Sequence, residues 1–568
     1  MARAHLLRPA PCPTCQTPRE IQGCREATTV LTLQGRGSLN LPIWGCPHPH
    51  PEATWTSSFR DTLAPPYRRT GHDLMLAVGL LRFGLNLPEK NVMALLGDGW
   101  SIPLSQPSIS RLSTEFLVRW GMLCEERIPP LLPTLQPLVI QIDGTVVENG
   151  PVTFRARDAR TGLTLLAEQL EVESHTEVVR FLRDFKTRYG NPVEIVRDGS
   201  PTLREAVAEV FPGVPQQEDH WHFLDDLGPV ILADYPSLQV GLTGDHGLSR
   251  LAEWSRKLPV AGSTLGEIER VWIRLALEWL EEPRRHAGGF PWRLPYLEIV
   301  RRMEKVLKWA RELHRVNADR RVVVPALSDL IARLGGLLSR EAVRESTGRL
   351  MFEVPLWEGV RAAMRAERDR RSREDLAPLA EADIAGVQKE IDEAGTRFVT
   401  RGGWAEAIWA KVSKRLEDHR KYLWVVVPGL GVVIRSTVAL ERAHRDDRHG
   451  VIRRRGQGDT GTEMGRSGSL LAYWSNARCP FFVEHVLSGV NLWEEFAQQD
   501  VGEVRLRLSK LSTQGQRPTV AVPIGEREEK LRKLVRILSQ PGEVDTQGLT
   551  GWAASVGAVE AVSADDGV

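Results

Sequence analysis

Two apolar runs end in Asp-Gly: LVIQIDGT at residues 138–145 and VEIVRDGS at residues 193–200. Short runs rich in valine and isoleucine and bounded by turn residues predict buried strands. Asp143 and Asp198 therefore stand at strand ends, where glycine lets the chain turn and the carboxylates can face a shared cleft. Because Asp-Gly is also a common turn signal, either aspartate alone has an ordinary structural explanation.

A glutamate far downstream is the third candidate acid. Glu441 lies in an arginine-rich segment, residues 435–456, of a chain whose net charge is only +1. Three such carboxylates can hold two Mg²⁺ or Mn²⁺ ions, and ion pairs of this kind clamp the attacking and leaving oxygens of a phosphodiester. Phosphoryl transfer is the leading chemistry. A solvated amphipathic helix is the alternative interpretation of the segment, and Glu463 and Glu484 are the other candidates for the third acid.

Blocks around these acids resemble the DDE transposases of prokaryotic insertion sequences, in the Mutator-like and related groups. RDARTGL at residues 157–163 is similar to the family's second and third strands joined by a Thr-Gly turn, and residues 177–189 have the apolar spacing of a helix. The resemblance implies an α/β fold with a ribonuclease H-like core, in the order β-β-β-α-β. It also implies that Asp143, Asp198 and Glu441 are the catalytic, metal-binding residues, with Mg²⁺ or Mn²⁺ as cofactor.

Two further blocks carry the resemblance. QEDHWHFLDDLG at residues 217–228 is similar to the family's Cys-x-x-His or Cys-x-Phe-His segment, with His222 on the histidine and Asp219 in place of the cysteine. His222 is an auxiliary candidate that orients a carboxylate or approaches a phosphate, and a structural histidine near the core is the alternative. STVALER at residues 436–442 is similar to the signature Asn-x-x-Glu-Arg, with Val438 in place of its asparagine.

Cysteine spacing at the N-terminus predicts a small zinc ribbon. Cys12, Cys15, Cys46 and His48 supply four ligands of the kind that tetrahedral zinc prefers. Cys24 is the alternative to His48 as the fourth ligand. An N-terminus with unliganded thiols is the competing interpretation.

Residues 57–130 predict a helical, helix-turn-helix-like DNA-binding module. Apolar periodicity marks helices at 74–83 and 88–96, and QPSISRL begins a third at residue 106. The exposed start of that helix would offer Gln106, Ser108 and Arg111 to bases or phosphates. A helical hairpin packed for structural reasons is the alternative. Further DNA-binding candidates surround and follow Glu441: Arg442, Arg445, Arg453, Arg454 and Arg455.

Composition is that of an ordinary globular protein of several domains. The 568 residues are 42% hydrophobic and 26% charged, without an 18-residue apolar run or an evident signal peptide. We therefore expect a cytoplasmic, nucleoid-associated protein with no membrane partner. The predicted domains are a zinc-ribbon-like segment at 1–56, the DNA-binding module at 57–130, a first core segment at 135–245, an all-α insertion at 246–427, a second core segment with the third carboxylate at 428–495 and a partly disordered C-terminal tail at 496–568.

The resemblance implies a transposase that cleaves and transfers DNA strands at the ends of an insertion sequence. Its partners would be double-stranded DNA, both terminal inverted repeats and target, and further copies of the chain in a homo-oligomer. Two alternatives stay open: a domesticated, non-catalytic DNA-binding protein, and a ribonuclease H-like nuclease that only hydrolyses. An ATP-driven enzyme is disfavoured, because the sequence lacks a Gly-x-x-x-x-Gly-Lys-Ser/Thr phosphate loop.

Overall fold

The structure is a computed structural model in which 13 stretches of chain are described: residues 10–24, 28–39, 42–48, 54–56, 63–65, 68–146, 151–244, 247–258, 264–285, 289–319, 325–366, 376–455 and 460–514. The chain divides into two compact units, Met1–Ser509 and Lys510–Val568. The sheets, the helical core and the candidate sites all belong to the first unit. Most of the predicted C-terminal tail lies outside the described residues.

Small antiparallel sheets begin the chain. One three-stranded sheet and one hairpin are formed by the strands β1 (Glu20–Cys24), β2 (Thr28–Thr32), β3 (Gly35–Leu39), β4 (Pro42–Gly45) and β5 (Thr54–Thr56). Strand β4 lies between β1 and β5, and β2 pairs with β3. The hairpin touches the next module through the backbone, since Leu31 N–H donates to the Arg69 carbonyl at 2.7 Å.

Three helices follow, and the third enters the core of the protein. They are α1 (His72–Gly79), α2 (Glu89–Ala94) and α3 (Gln106–Arg127), and α1 and α2 each continue into a π-helical turn. Phe116 and Trp120 of α3 are fully buried and make edge contacts with Trp474, at ring-centroid distances of 5.3 and 4.8 Å. The close approach of Phe116 also requires glycine at Gly79, because a Cβ there would lie 2.1 Å from the ring.

A mixed five-stranded sheet forms the centre of the fold. Its strands are β6 (Val139–Thr145), β7 (Val152–Asp158), β8 (Thr164–Leu170), β9 (Glu194–Arg197) and β10 (Gln216–Glu218). Their spatial order is β10-β9-β6-β7-β8. Strands β6, β7 and β8 are joined antiparallel, whereas β9 and β10 run parallel to β6. The C-terminal ends of β6, β8 and β9 therefore lie along the same side of the sheet. This line of C-terminal strand ends is called the sheet edge below.

Two helices cover this sheet. Helix α4 (His175–Tyr189) begins at Ser174, whose side chain accepts a hydrogen bond from the Glu177 N–H, and ends at Gly190, which has a positive φ of 76°. Its apolar face is buried through Phe181, Leu182 and Phe185. Helix α5 (Pro201–Val210) starts directly after the Asp198 turn and packs on α4.

A long helical region separates the two segments of the core. It contains the helices α6 (His220–Ile231), α7 (Tyr235–Thr243), α8 (Leu248–Arg256), α9 (Thr264–Arg285), α10 (Pro295–Asp319), α11 (Pro325–Ser339), α12 (Glu341–Ala363), α13 (Ile384–Val399) and α14 (Gly403–Leu423). These helices have a hydrophobic core of their own. Strand β11 (Leu379–Ala380) pairs with β12 (Val432–Val433) and closes the region.

The last described helices return to the sheet. They are α15 (Val438–Arg455), α16 (Thr460–Trp474), α17 (Pro480–Phe482), α18 (Leu492–Gln498) and α19 (Val501–Gln514). Helix α15 crosses β6, and α16 packs on β7, β8 and α3. The prediction of an α/β chain is confirmed, and the described chain is mostly helical with a mixed five-stranded sheet. None of the described helices combines the length and the apolar character needed to cross a membrane.

Candidate active site at the sheet edge

The two predicted aspartates lie at the ends of neighbouring parallel strands. Asp143 is near the end of β6, and Asp198 directly follows β9, which pairs with β6 in the register Gln141 to Val196. The Asp198 turn is fixed locally, since its Oδ1 accepts a hydrogen bond from the Ser200 N–H at 2.9 Å. Sequence reasoning placed both acids at strand ends, and the structure brings those ends together.

Glu441 reaches the same edge from a distant part of the chain. It lies in the first turn of α15. The start of that helix is held on the sheet by two hydrogen bonds: Gln141 Nε2 donates to the Ser436 carbonyl at 2.6 Å, and Arg157 donates to the Ala439 carbonyl at 2.7 Å. These contacts bring Glu441 to the Asp143 and Asp198 edge across about 240 residues of sequence.

Burial and several neighbouring acids shift the pKa of Asp143. Burial, followed by the charges of Asp198, Glu441 and Glu173, raises the pKa of Asp143 to about 8, while the charge of His222 opposes that rise. A bound cation would relieve this repulsion, and carboxylate oxygens are the donors that hard divalent cations prefer. The donor set therefore fits a divalent metal. Within the described ranges, however, the only three potential ligand atoms within 4.8 Å of one another belong to cysteines, so the carboxylates are more widely spaced than the ligands of a closed metal site.

Sequence reasoning missed a fourth carboxylate, Glu173. Strand β8 runs parallel to β6, so its end reaches the same edge, and Glu173 follows it. The side chain lies over Gly144, where a Cβ would be 2.7 Å from Glu173 Oε2. Burial and the charge of Asp198 raise the pKa of Glu173. The only signal in the sequence was an acid placed between a strand end and the helix cap Ser174.

Asp219 is the N-cap of α6 and joins that helix to α15. Its Oδ1 accepts hydrogen bonds from the Trp221 and His222 N–H groups at 2.6 and 3.1 Å. Its Oδ2 accepts hydrogen bonds from the backbone N–H of Thr437 and from its hydroxyl, the latter at 2.7 Å. Although burial opposes ionisation, interactions with His222 and Thr437 hold the pKa of Asp219 well below its usual range. Capping thus explains why an aspartate stands at position 219.

His222 lies between Asp219 and the acidic cleft. Its Nδ1 is 3.6 Å from Asp219 Oδ1, and its Nε2 is 3.6 Å from Glu441 Oε1. The side chain is 28% exposed, so one side of the ring faces the cleft. The predicted auxiliary histidine is therefore beside the third acid.

A second histidine, which sequence reasoning did not single out, lies on the other side of Asp143. His444 Nε2 is 4.0 Å from Asp143 Oδ2, and its side chain is 5% exposed. Burial and the charge of Arg155 lower the pKa of His444 well below its ordinary value, which favours the neutral ring. The Arg155 guanidinium in turn contacts the carboxylate of Asp447 on the same face of α15. Helical spacing of three from Glu441 was the only sequence signal.

A pair formed by Glu218 and His419 lies against the Asp198 turn. Glu218 of β10 is 1% exposed, and its Oε2 is 2.6 Å from His419 Nδ1 of α14. A Cβ on Gly199 would lie 2.8 Å from the other carboxylate oxygen of Glu218, so glycine is required there by close approach. The helical region therefore contacts the strand end that carries Asp198.

The N-terminal cysteines form a separate candidate metal site. Cys12, Cys15 and Cys46 place their sulfur atoms within 4.8 Å of one another, and the Sγ atoms of Cys15 and Cys46 are 3.4 Å apart. Hydrogen bonding with Thr17 lowers the pKa of Cys15 to about 7, which favours the thiolate that zinc requires. The three thiols can bind a metal such as zinc. His48 is exposed and offers its backbone N–H to Cys46 Sγ at 3.4 Å, and exposed Cys24 is outside the group.

No protein-family model matches the chain, and no curated protein matches it either. The site is therefore interpreted from its geometry and chemistry.

The predicted DNA-contacting residues fall into two surfaces. At the start of α3, Gln106 and Arg111 are exposed and Ser108 is half-buried. Gln106 donates a hydrogen bond to Glu89 at 3.1 Å. Partial burial of the guanidinium and the charge of Arg68 lower the pKa of Arg111.

The second surface is on α15, where Arg442 and Arg445 are half-buried and Arg453 is exposed. Arg454 is 5% exposed and donates to Asn86, so it lies inside the protein. Arg455 is exposed and pairs with Glu463 and Glu89. Glu463 and Glu484 are the other candidates for the third acid. Glu463 forms ion pairs with Arg454 and Arg455, and Glu484 is exposed.

Proposed function

We propose that the chain is a DDE-type DNA transposase, a metal-dependent polynucleotidyl transferase that cleaves and joins DNA strands. One observation carries the proposal: Asp143, Asp198 and Glu441 converge at one edge of the mixed sheet although they come from distant segments. Three antiparallel strands followed by two parallel ones also support a ribonuclease H-like core. The helical region between α5 and α15 supports an all-α insertion in that core.

The acids would hold Mg²⁺ or Mn²⁺. Two such ions supply Lewis-acid stabilisation of the attacking and leaving oxygens in phosphodiester chemistry. Asp143 and Asp198 are presented by rigid strand ends, which suits residues that must hold their geometry. Glu441 is oriented from α15 by the contacts of Ser436 and Thr437, and Glu173 adds a further oxygen donor.

The residues around the acids suit a phosphate backbone. The arginines of α15 bring positive charge to the edge that carries the acids, and arginine contacts to phosphates position DNA without reading its sequence. Gln106, Ser108 and Arg111 would meet the terminal repeats from the start of α3, together with a zinc-bound N-terminal segment. A homo-oligomer on two DNA ends, acting in the cytoplasm on the nucleoid, is the assembly we propose.

A plasmid-nicking assay tests this function. The full chain is incubated with supercoiled DNA in Mg²⁺, Mn²⁺ or EDTA, alongside Asp143→Asn and the matched control Asp446→Asn, which changes an exposed acid of α15. Asp143→Asn should lower metal-dependent cleavage by more than about 100-fold, because even outer-shell partners of a metal are worth 10–100-fold. DNA binding should persist. Cleavage that is equal in both variants, or that is absent from wild type with every divalent ion, contradicts the proposal.

A further inference from the structure

The position of His222 bears on which metal the candidate active site takes. The ring connects two carboxylates, with Nδ1 at 3.6 Å from Asp219 Oδ1 and Nε2 at 3.6 Å from Glu441 Oε1. Its charge also acts on Asp143, where it is the main influence opposing the raised pKa. His222 is therefore close enough to Glu441 and Asp143 to interact with both.

The Asp219 carboxylate lies on the Nδ1 side of the His222 ring, where a carboxylate can orient a metal-binding histidine. Such a histidine almost always donates its second ring N–H to a carboxylate or carbonyl, which fixes the tautomer and turns the other nitrogen to the metal. Asp219 is fully buried and is held in place by the Trp221 N–H and by Thr437. It can hold the Nδ1 side of the ring, which leaves Nε2 on the cleft side with Glu441.

The spacing of the donor atoms fits a shared ion. Two atoms that each lie about 2.0–2.2 Å from one ion are separated by roughly 3 to 4 Å, depending on the angle between them. The 3.6 Å between His222 Nε2 and Glu441 Oε1 falls in this range.

We propose that His222 is a nitrogen ligand of the carboxylate site and that the site prefers Mn²⁺, or a similar borderline transition ion, to Mg²⁺. The inference rests on the proposed metal site of Asp143, Asp198 and Glu441. Mg²⁺ binds oxygen donors in a near-ideal octahedron and keeps several waters, whereas imidazole suits the later first-row metals. Replacing one oxygen donor by His222 therefore shifts selectivity away from Mg²⁺.

Pulsed electron paramagnetic resonance of the Mn²⁺-loaded full chain tests the ligand directly. Wild type should show ¹⁴N modulation from a coordinated imidazole, and His222→Gln should lose it. His449→Gln is the matched control, since it changes an exposed histidine of α15 and should leave the modulation intact. A competition titration should show the preference for Mn²⁺ over Mg²⁺ falling about tenfold in His222→Gln.

The outcomes separate this inference from the proposed function. Mn²⁺ binding that needs Asp143 but shows no ¹⁴N modulation in wild type would overturn the nitrogen ligand and leave the carboxylate site standing. Modulation that survives His222→Gln and disappears in His444→Gln would also overturn it, by assigning the nitrogen to His444. Mn²⁺ binding that is unaffected by Asp143→Asn would remove both the inference and the proposed metal site.

Discussion

Burial shifts the pKa values of several single residues on or beside the central sheet. Burial raises the pKa of Asp143 to about 8, and burial lowers the pKa of His444 beside it well below its ordinary value. Glu194 of β9 is a third example, since it is fully buried and neither of its carboxylate oxygens has a hydrogen-bond partner within the described part of the chain. Burial raises the pKa of Glu194 to about 8.

Glu194 predicts a specific pH dependence of stability. Its folded pKa is above the unfolded value of about 4.3, so its contribution is fully present below that value and is lost as the pH rises toward 8. The loss is at most about 1.4 kcal/mol per pH unit. Glu194→Gln should therefore flatten the decline between about pH 4.5 and 8, as measured by denaturant unfolding in EDTA. Asp143 contributes in the same direction, so an identical slope in wild type and Glu194→Gln would refute the assignment.

The residues of the site differ in how far sequence could predict them. Asp143 and Asp198 were accessible because each ends a valine- and isoleucine-rich run with Asp-Gly. Glu173 was missed because no apolar run points to it; only the antiparallel path of β7 and β8 brings it to the edge. His444 depends on the rotation of α15 about its axis, which a charged segment of low apolar content does not specify.

At the scale of elements, the site depends on how α6 and α15 are joined. Asp219 caps α6 and accepts two hydrogen bonds from Thr437, and the His220 N–H donates to the Arg435 carbonyl at 2.9 Å. These bonds connect the segment after β10 to the segment before α15. Sequence could not predict this junction, because the two segments lie more than 200 residues apart and share no periodicity.

Asp219→Asn should weaken this junction. The asparagine side chain has one accepting oxygen, whereas both oxygens of Asp219 accept hydrogen bonds. Either the N–H groups of α6 or the donors of Thr437 would therefore lose their partner, at a cost of about 2 kcal/mol or more in the free energy of unfolding. Asp226→Asn is the matched control on the same helix, because its exposed carboxylate pairs only at 3.5 Å with Arg415 and should change stability by less than about 0.5 kcal/mol. Equal effects in chemical denaturation would refute the capping role.

The N-terminal strands give a prediction for the cysteine cluster. Zinc analysis of the purified protein should find one zinc fewer per chain in Cys12→Ser than in wild type, because Cys12 supplies one of the three clustered sulfurs. Cys24→Ser, outside the cluster, should leave the zinc content unchanged. A loss that follows Cys24 instead would show that the described cluster is not the binding site.

At the scale of the whole molecule, the helical module and the sheet share one core. Leu74 of α1, Trp120 of α3, Phe154 of β7 and Trp474 of α16 belong to a single buried cluster. The bond from Trp120 Nε1 to the Tyr473 carbonyl, 2.9 Å long, joins α3 to α16. Sequence predicted the helices and their order, but it treated residues 57–130 as a separate module because helical periodicity identifies an apolar face and not its partner.

This shared core predicts the behaviour of fragments. Residues 131–509 without α1 to α3 should be insoluble or unfold without cooperativity, because Trp474 and its neighbours lose the buried face of α3. Residues 57–509, which keep α3, should unfold cooperatively. Circular dichroism melting of both fragments checks this, and cooperative unfolding of residues 131–509 would show that the sheet and the helical region fold independently.

The most direct measurement is strand cleavage and joining on a labelled duplex that carries the DNA flanking the coding region, with Mg²⁺, Mn²⁺ or EDTA. Wild type is compared with Glu441→Gln and with Glu484→Gln, a matched change of an exposed glutamate. We predict metal-dependent cutting and joining in wild type and Glu484→Gln, and its loss in Glu441→Gln with DNA binding intact. Cutting without joining by wild type would identify a nuclease, and binding without cutting would identify a non-catalytic DNA-binding protein. Joining that is retained by Glu441→Gln would contradict the central claim that the three acids form the catalytic site.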